Sequence, residues 1–181
     1  MTPDRAEQIM DIAERDMRKN GFDAVSFRKI AAEIGIKSAS VHYHFATKGD
    51  LSAAVTQRYS DRFIEVLGSA SAPQETAKDR IARLAAAYIA SYQVNSSICL
   101  CAALGSVASH LPPETAQGVK GFYHRLIAWT ETAMQGQDYS LTPALILSLL
   151  QGSMTLSIAT QDDAPLIASQ DTLLQMFDAK G

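Results

Sequence analysis

The side chains best suited to chemistry in this chain are small, polar and basic, and they crowd between positions 26 and 48: Ser26, Arg28, Lys37, Ser38, Ala39, Ser40, His42, Tyr43, His44 and Lys48. The chemistry they offer is hydrogen bonding and charge contact with a polyanion. Short side chains at Lys37, Ser38, Ala39 and Ser40 would let a helix approach the base edges of a DNA major groove closely. His42, Tyr43 and His44 have the length to reach phosphate oxygens, and Lys48, at the start of a further helix, adds a positive anchor. Catalysis finds no footing: the chain shows no acidic pair, no nucleophile beside a base and no phosphate-cradling glycine loop.

Two short helices around a turn must position these residues. In SFRKIAAEIGIKSASVHYHF, residues 26–45, the side chains Phe27, Ile30, Ala31 and Ile34 repeat at 0, 3, 4 and 7 and form one apolar stripe. Ser26 is expected to cap this helix through its hydroxyl. Gly35 stands where a left-handed residue commonly ends a helix, and Ile36 follows as an apolar plug. A second helix opens near Ser38, with Val41 and Phe45 inward and Lys37, Ala39, Ser40, His42, Tyr43 and His44 outward. The pattern is a helix-turn-helix whose outer face is the candidate reading surface. A packed corner of an ordinary all-α domain would carry the same stripe.

The run over 25–51, with FRKIAAEIGI, SVHYHF and TKGDL, resembles the N-terminal DNA-binding region of TetR-family transcriptional regulators. The residues that carry the resemblance are Gly35, Ile36, Tyr43, His44, Phe45, Lys48, Asp50 and Leu51. His42 departs from it, standing where that family more often has the first of two tyrosines. The resemblance is strong over residues 4–59 and rests on length and helical character beyond.

Charge is distributed to match. The chain carries a formal net charge of −3, yet residues 18–62 hold eight basic residues against four acidic ones, a local charge of +4. With 47% hydrophobic and 19% charged residues over 181 positions, the composition is that of a folded globule of one large domain or two small ones. No apolar run approaches 18 residues and the N-terminus is polar and acidic, so neither a membrane span nor a signal peptide is expected, and residence in the cytoplasm is. The two cysteines, Cys99 and Cys101, would point about 200° apart on a helix and cannot readily bridge; they read as small packed hydrophobes, with redox sensing as the alternative. His110 and His124 lie apart from other ligand types, and no metal or other cofactor is expected.

Beyond the reading region the chain reads as all-α, with about nine helices in all. A first helix over 4–20 carries Ile9, Ile12, Ala13 and Met17 inward and stops at Asn20-Gly21. Thr47 with Asp50 forms an approximate capping box for a long fourth helix running toward Gly68. A helix over 74–93 follows, and later helices are bounded at Asn95-Ser96, Pro112-Pro113, 136–138 and 162–165. The expected division is a DNA-binding domain over 1–46 and an effector-binding and dimerisation domain over 47–181. Helices over 142–160 and 164–179 are apolar enough to need cover on more than one side, which suits a homodimer. Aromatic and small residues alternate between 74 and 134, and Tyr59, Tyr88, Tyr92, Cys99, Cys101, Phe122, Tyr123 and Trp129 would line a pocket for a small, largely apolar effector, unless they are simply core.

The resemblance implies that the last two helices of each chain form a four-helix dimer bundle. It also implies that an effector shifts the fourth helix and so opposes binding to a palindromic double-stranded DNA operator. The expected role is a ligand-responsive regulator, a repressor in sense and not an enzyme. The alternative is an all-α small-molecule-binding protein of the same fold that does not bind an operator.

Overall fold

The computed structural model describes residues 4–94, 96–135 and 141–178. The expected boundary at Asn95, the one at 136–138 and the helix end at Ala179 lie outside the described residues. Among the described residues the chain is all-α, with nine α-helices and no strand: α1 (Arg5–Asn20), α2 (Phe27–Glu33), α3 (Ser38–His44), α4 (Lys48–Leu67), α5 (Ala77–Gln93), α6 (Leu100–Gly105), α7 (Pro113–Ala133), α8 (Pro143–Thr160) and α9 (Ala164–Asp178). The helices gather into two compact units, one holding the chain to Asp61 together with Leu100–Phe122, the other Arg62–Cys99 together with the chain from Tyr123 onward. The α4 and α7 helices each contribute residues to both units.

In the first unit, Ile9, Ile12, Ala13 and Met17 are the buried stripe of α1, which packs on α2, α3 and α6. Gly21, at a φ of +78°, closes α1 by donating its N–H to the Met17 carbonyl at 2.9 Å. Arg58 of α4 fastens itself to α1: its guanidinium lies 2.7 Å from Glu7, 2.9 Å from Asp11 and 3.0 Å from Glu14, three carboxylates spaced along one face of that helix. Burial works against the charge of Arg58, but the hydrogen bond it donates to Glu7 and the fields of Glu14 and Asp11 outweigh it and hold its pKa above the ordinary value.

In the second unit α5 begins at Ala77, three residues after the expected start. Thr76 stops the helix from extending back: the Asp79 N–H donates to the Thr76 hydroxyl at 3.2 Å, while the Asp79 carboxylate accepts the Thr76 N–H at 2.8 Å. The Thr76 hydroxyl also donates to the Asp79 carboxylate at 2.7 Å, and this bond first, with the Thr76 N–H second, pulls the Asp79 pKa below the usual carboxylate range. Ala77, Ile81, Leu84, Ala85, Ala87, Tyr88 and Tyr92 are buried, and Ile89 is half-buried. The α5 helix packs on α8 and α9, and α8 on α9. Thr142 caps α8 by accepting the Leu145 N–H at 3.2 Å, with Pro143 in the first turn where its missing N–H costs nothing.

The α8 helix is as apolar as expected, and it is the one helix among the described residues long and apolar enough to cross a membrane, at 18 residues with a mean hydropathy of 1.3, by length and composition only. Its polar residues are uncharged, and hydroxyls such as Ser153 bond back to the carbonyl of Leu149 at 2.8 Å, so the interruptions visible in sequence barely lower its apolar character. Its inward residues Ile146, Leu147, Leu150, Ser153, Met154 and Ser157 are buried, as in a core helix.

Candidate nucleic-acid interface

The turn between α2 and α3 is secured twice by its backbone. Gly35 adopts a φ of +69°, and the Ile36 N–H returns to the Ala31 carbonyl at 2.9 Å while the Gly35 N–H meets that of Ala32 at 3.4 Å. This pair of bonds is a Schellman closure, which requires the left-handed residue that glycine adopts without a Cβ clash. Ile30 and Ala31 are buried, and Phe27 and Ile34 are half-buried. Ser26 occupies the N-cap position in an extended conformation, but its hydroxyl makes no capping bond, contrary to expectation; only its carbonyl serves, accepting the Ile30 N–H at 2.9 Å. Glu33 at the end of α2 is held by both terminal nitrogens of Arg15, at 2.6 and 2.9 Å, and this hydrogen-bonded pairing lowers its pKa. The acid nearest the turn is thereby neutralised.

Val41 is the one fully buried residue of α3. Ser38 is half-buried, and Ala39, Ser40, His42, Tyr43 and His44 are exposed, as are Arg28 of α2 and Lys37 just before α3. Tyr43 is 87% exposed, far more than a phenol ring would be in a packed corner. His44 lies edge-on to Tyr43 with ring centroids 5.4 Å apart. The His42 ring stands edge-on to Phe27 at 4.7 Å, and its Nδ1 is 3.3 Å from the Ala46 carbonyl, so a proton on Nδ1 is donated there.

Lys48 begins α4 and is less free than its sequence position suggests. Its ammonium sits 4.1 Å from the centre of the Phe22 ring and 3.7 Å from Asp23. Thr47 and Asp50 make the full capping box in front of it: the Thr47 N–H donates to Asp50 at 2.9 Å, and the Asp50 N–H donates to the Thr47 hydroxyl at 3.0 Å. Sequence reasoning missed Phe22, Asp23 and Phe27 as supports for Lys48 and His42, because a cation over a ring or an edge-on ring pair leaves no spacing signature. The assembled surface is an exposed helix face that carries hydroxyl, imidazole and phenol groups.

Residues 9–55 match the profile of bacterial regulatory proteins of the tetR family. Over the whole chain the fold resembles a TetR transcriptional regulator from Legionella pneumophila, with 30% identity, a TM-score of 0.88, and coverage of 97% of this chain and 98% of that one. The chain belongs to the TetR family. At lower identity it is similar to the fatty acid metabolism regulator protein of Bacillus subtilis (strain 168), 20% identical over 94% of this chain and 92% of that one. It also shares the fold of the transcriptional regulator FadR from Bacillus subtilis, solved in complex with stearoyl-CoA, at 17% identity, a TM-score of 0.72, and coverage of 95% and 97%.

The side chains of this TetR-family chain that were expected to line an effector pocket are buried except for Tyr123, which is half-buried, and they are drawn from both units. Tyr59, Cys101 and Phe122 belong to the first unit, where the Tyr59 and Phe122 rings lie 6.0 Å apart. Tyr88, Tyr92, Cys99 and Trp129 belong to the second. There Tyr88 meets Phe63 edge-on at 5.7 Å, and the Trp129 indole N–H donates to the Gly68 carbonyl at 2.8 Å, tying down the end of α4. Cys99 precedes α6 and is not part of a helix, so the 200° argument does not apply to it; its N–H points to the Met154 sulfur at 3.2 Å. Neither cysteine is in a disulfide, and both are fully buried. The second unit also holds an open recess of about 440 Å³ lined by Tyr123, Ile127, Ala144, Leu147, Ser148, Gln151, Gly152 and Thr155, which includes only Tyr123 of the expected aromatics. Among the described residues no group of three or more His, Cys, Asp or Glu side chains could hold a metal ion.

Proposed function

We propose that this protein is a ligand-responsive repressor that works in the cytoplasm, binding a palindromic DNA operator as a homodimer and leaving it when a small, largely apolar effector binds. The observation that carries the reading is the exposure of α3: a helix that buries only Val41 and presents Ser40, His42, Tyr43 and His44 to solvent behind a tightly closed turn. In this reading Lys37, Ser38, Ala39 and Ser40 face base edges, with Ser26 and Arg28 of the preceding segment beside them. His42, Tyr43, His44 and Lys48 meet phosphates, which positions the helix without reading sequence. The 1–46 segment is the reading domain, and the remainder binds the effector and the second copy.

The homodimer is supported by the outer face of α8, where Leu145 and Leu156 are exposed beside Ala144, Ser148, Gly152 and Thr155 with no charged residue along the helix. Such a face gains from leaving water, and a two-fold partner would bring the second reading helix to the next half-site. Tyr59, Tyr88, Tyr92, Cys99, Cys101, Phe122 and Trp129 are the proposed pocket residues. The stearoyl-CoA held by the Bacillus subtilis FadR makes long-chain acyl thioesters the first effectors to assay. Effector and operator would oppose each other through a coupling of about 1–3 kcal/mol. The test is a gel shift with the DNA flanking the gene at low salt, repeated with stearoyl-CoA. Retardation that weakens steeply with salt is expected; no retardation at low salt would overturn the proposal.

A further inference from the structure

We infer that Ser52, Thr56, Thr115 and Gly118 position the reading head, making the start of α7 part of the body that presents α3 to DNA; this rests on the operator-binding reading above. The four residues form a seam inside the first unit. The Ser52 and Thr115 hydroxyl oxygens are 2.6 Å apart, and both residues are fully buried. Ser52 donates to the Gly49 carbonyl at 3.0 Å, so the Thr115 hydroxyl supplies the proton of the shorter bond. One turn further on, Thr56 donates to the Ser52 carbonyl at 2.7 Å and leaves its methyl against α7. A Cβ on Gly118 would lie 3.1 Å from that methyl, and a Cβ on Gly49 would lie 3.3 Å from Pro112. Three successive contacts, Gly49 with Pro112, Ser52 with Thr115, and Thr56 with Gly118, thus bring α4 and the start of α7 as close as their backbones allow.

Two properties of the seam point to positioning rather than bulk stability. An apolar contact tolerates sliding, whereas a 2.6 Å hydroxyl pair in a dry interior has one register and leaves two unsatisfied groups in any other. The seam also lies directly behind the reading surface: Gly49 follows Lys48, and Thr47 and Asp50 cap the same turn. The opposite grip on α4 is the Arg58 cluster with α1. Held on both sides, the first turns of α4 have no freedom to tilt independently of Leu100–Phe122, so the place of that segment decides where Lys48 and α3 stand.

The experiment uses the full-length protein and double-stranded operators selected with it from random-sequence DNA, then resynthesised with one base pair added to or removed from the half-site spacing. Gly118→Ala places a methyl against Thr56 and is expected to lower affinity for the selected operator about tenfold while shifting the preferred spacing. Adding Thr56→Ser removes the methyl, keeps the hydroxyl, and is expected to restore both. Should Gly118→Ala not fold, Ser52→Ala with Thr115→Ala removes both hydroxyls together and is expected to shift the spacing preference as well. A purely structural role would lower affinity for every spacing alike. Folded Gly118→Ala with a wild-type spacing profile, failure of Thr56→Ser to restore it, or a wild-type profile in the double-alanine variant would each overturn the inference while leaving operator binding intact. Wild-type protein that selects no operator would overturn the operator-binding reading itself, and the inference with it.

Discussion

Tyr43 on α3 and Leu156 on α8 are both large side chains left in solvent, 87% and 58% exposed, and they stand in opposite company. Around Tyr43 are Ser40, His42, His44 and Lys37, in a stretch of the chain with a local charge of +4. Around Leu156 are Gly152, Thr155 and Ala159, on a helix with no charged residue at all. The first surface keeps its water until another set of hydrogen-bonding groups replaces it; the second gains by losing water to any apolar surface that fits. Exposure alone does not separate the two, but the neighbours do, because they decide whether a wet, salt-sensitive contact or a dry, salt-insensitive one is the stable outcome.

The comparison breaks most readily at α8. Leu145→Glu with Leu156→Glu should weaken self-association by at least about 100-fold, since two carboxylates would have to leave water unpaired. Sedimentation equilibrium measures this, and an unchanged dimer would mean that the dry surface lies elsewhere. Arg58→Met comes next: it strips the shared cation from Glu7, Asp11 and Glu14, and, because two of these acids are partly screened by solvent, about 1–2 kcal/mol of stability should be lost. Urea unfolding reads that loss, and self-association through α8 should survive it.

On the wet surface, Tyr43→Ala and Lys48→Ala should weaken binding to every DNA sequence and lower the salt slope by about 0.9 per lost phosphate contact. Lys37→Ala and Ser40→Ala should instead change which base pair is preferred, by about 1–3 kcal/mol at one position. Equal effects of all four on every sequence would erase the distinction between positioning and reading. The same salt titration should leave the α8 contact nearly untouched.

The smallest effect is that of acid. The Asp79 carboxylate, lowered by its bonds to Thr76, and Glu33, lowered by Arg15, bind protons less readily folded than unfolded. Their contributions are therefore fully present above the ordinary carboxylate value of about 4 and fade as pH falls through the depressed folded values. Asp79→Asn should flatten the acid limb of a stability-against-pH curve without altering operator preference at neutral pH, as followed by circular dichroism.

Much of this architecture is legible in the chain because its determinants are close neighbours. Gly35 and Ile36 announce the turn, and Thr47 with Asp50 announces the start of α4, since each bond spans only three to five residues. The same reasoning fails where a local signal had a choice. Ser26 looks like a cap and makes no capping bond, and the helix expected from 74 is delayed by Thr76 to Ala77. For the aromatic residues expected to line a pocket, period alone says that a side chain turns inward and not toward what.

The sequence by itself determined the all-α character, the helix-turn-helix, the Thr47 cap and the inward stripes, since each follows from the fixed geometry of 3.6 residues per turn and bonds between near neighbours. Only the tertiary structure decided that Arg58 would meet Glu7 and Glu14, 51 and 44 positions away, that Ser52 would meet Thr115 across 63, and that Phe22 would hold Lys48. Contacts between segments that distant depend on how whole helices pack, and no local spacing encodes the partner.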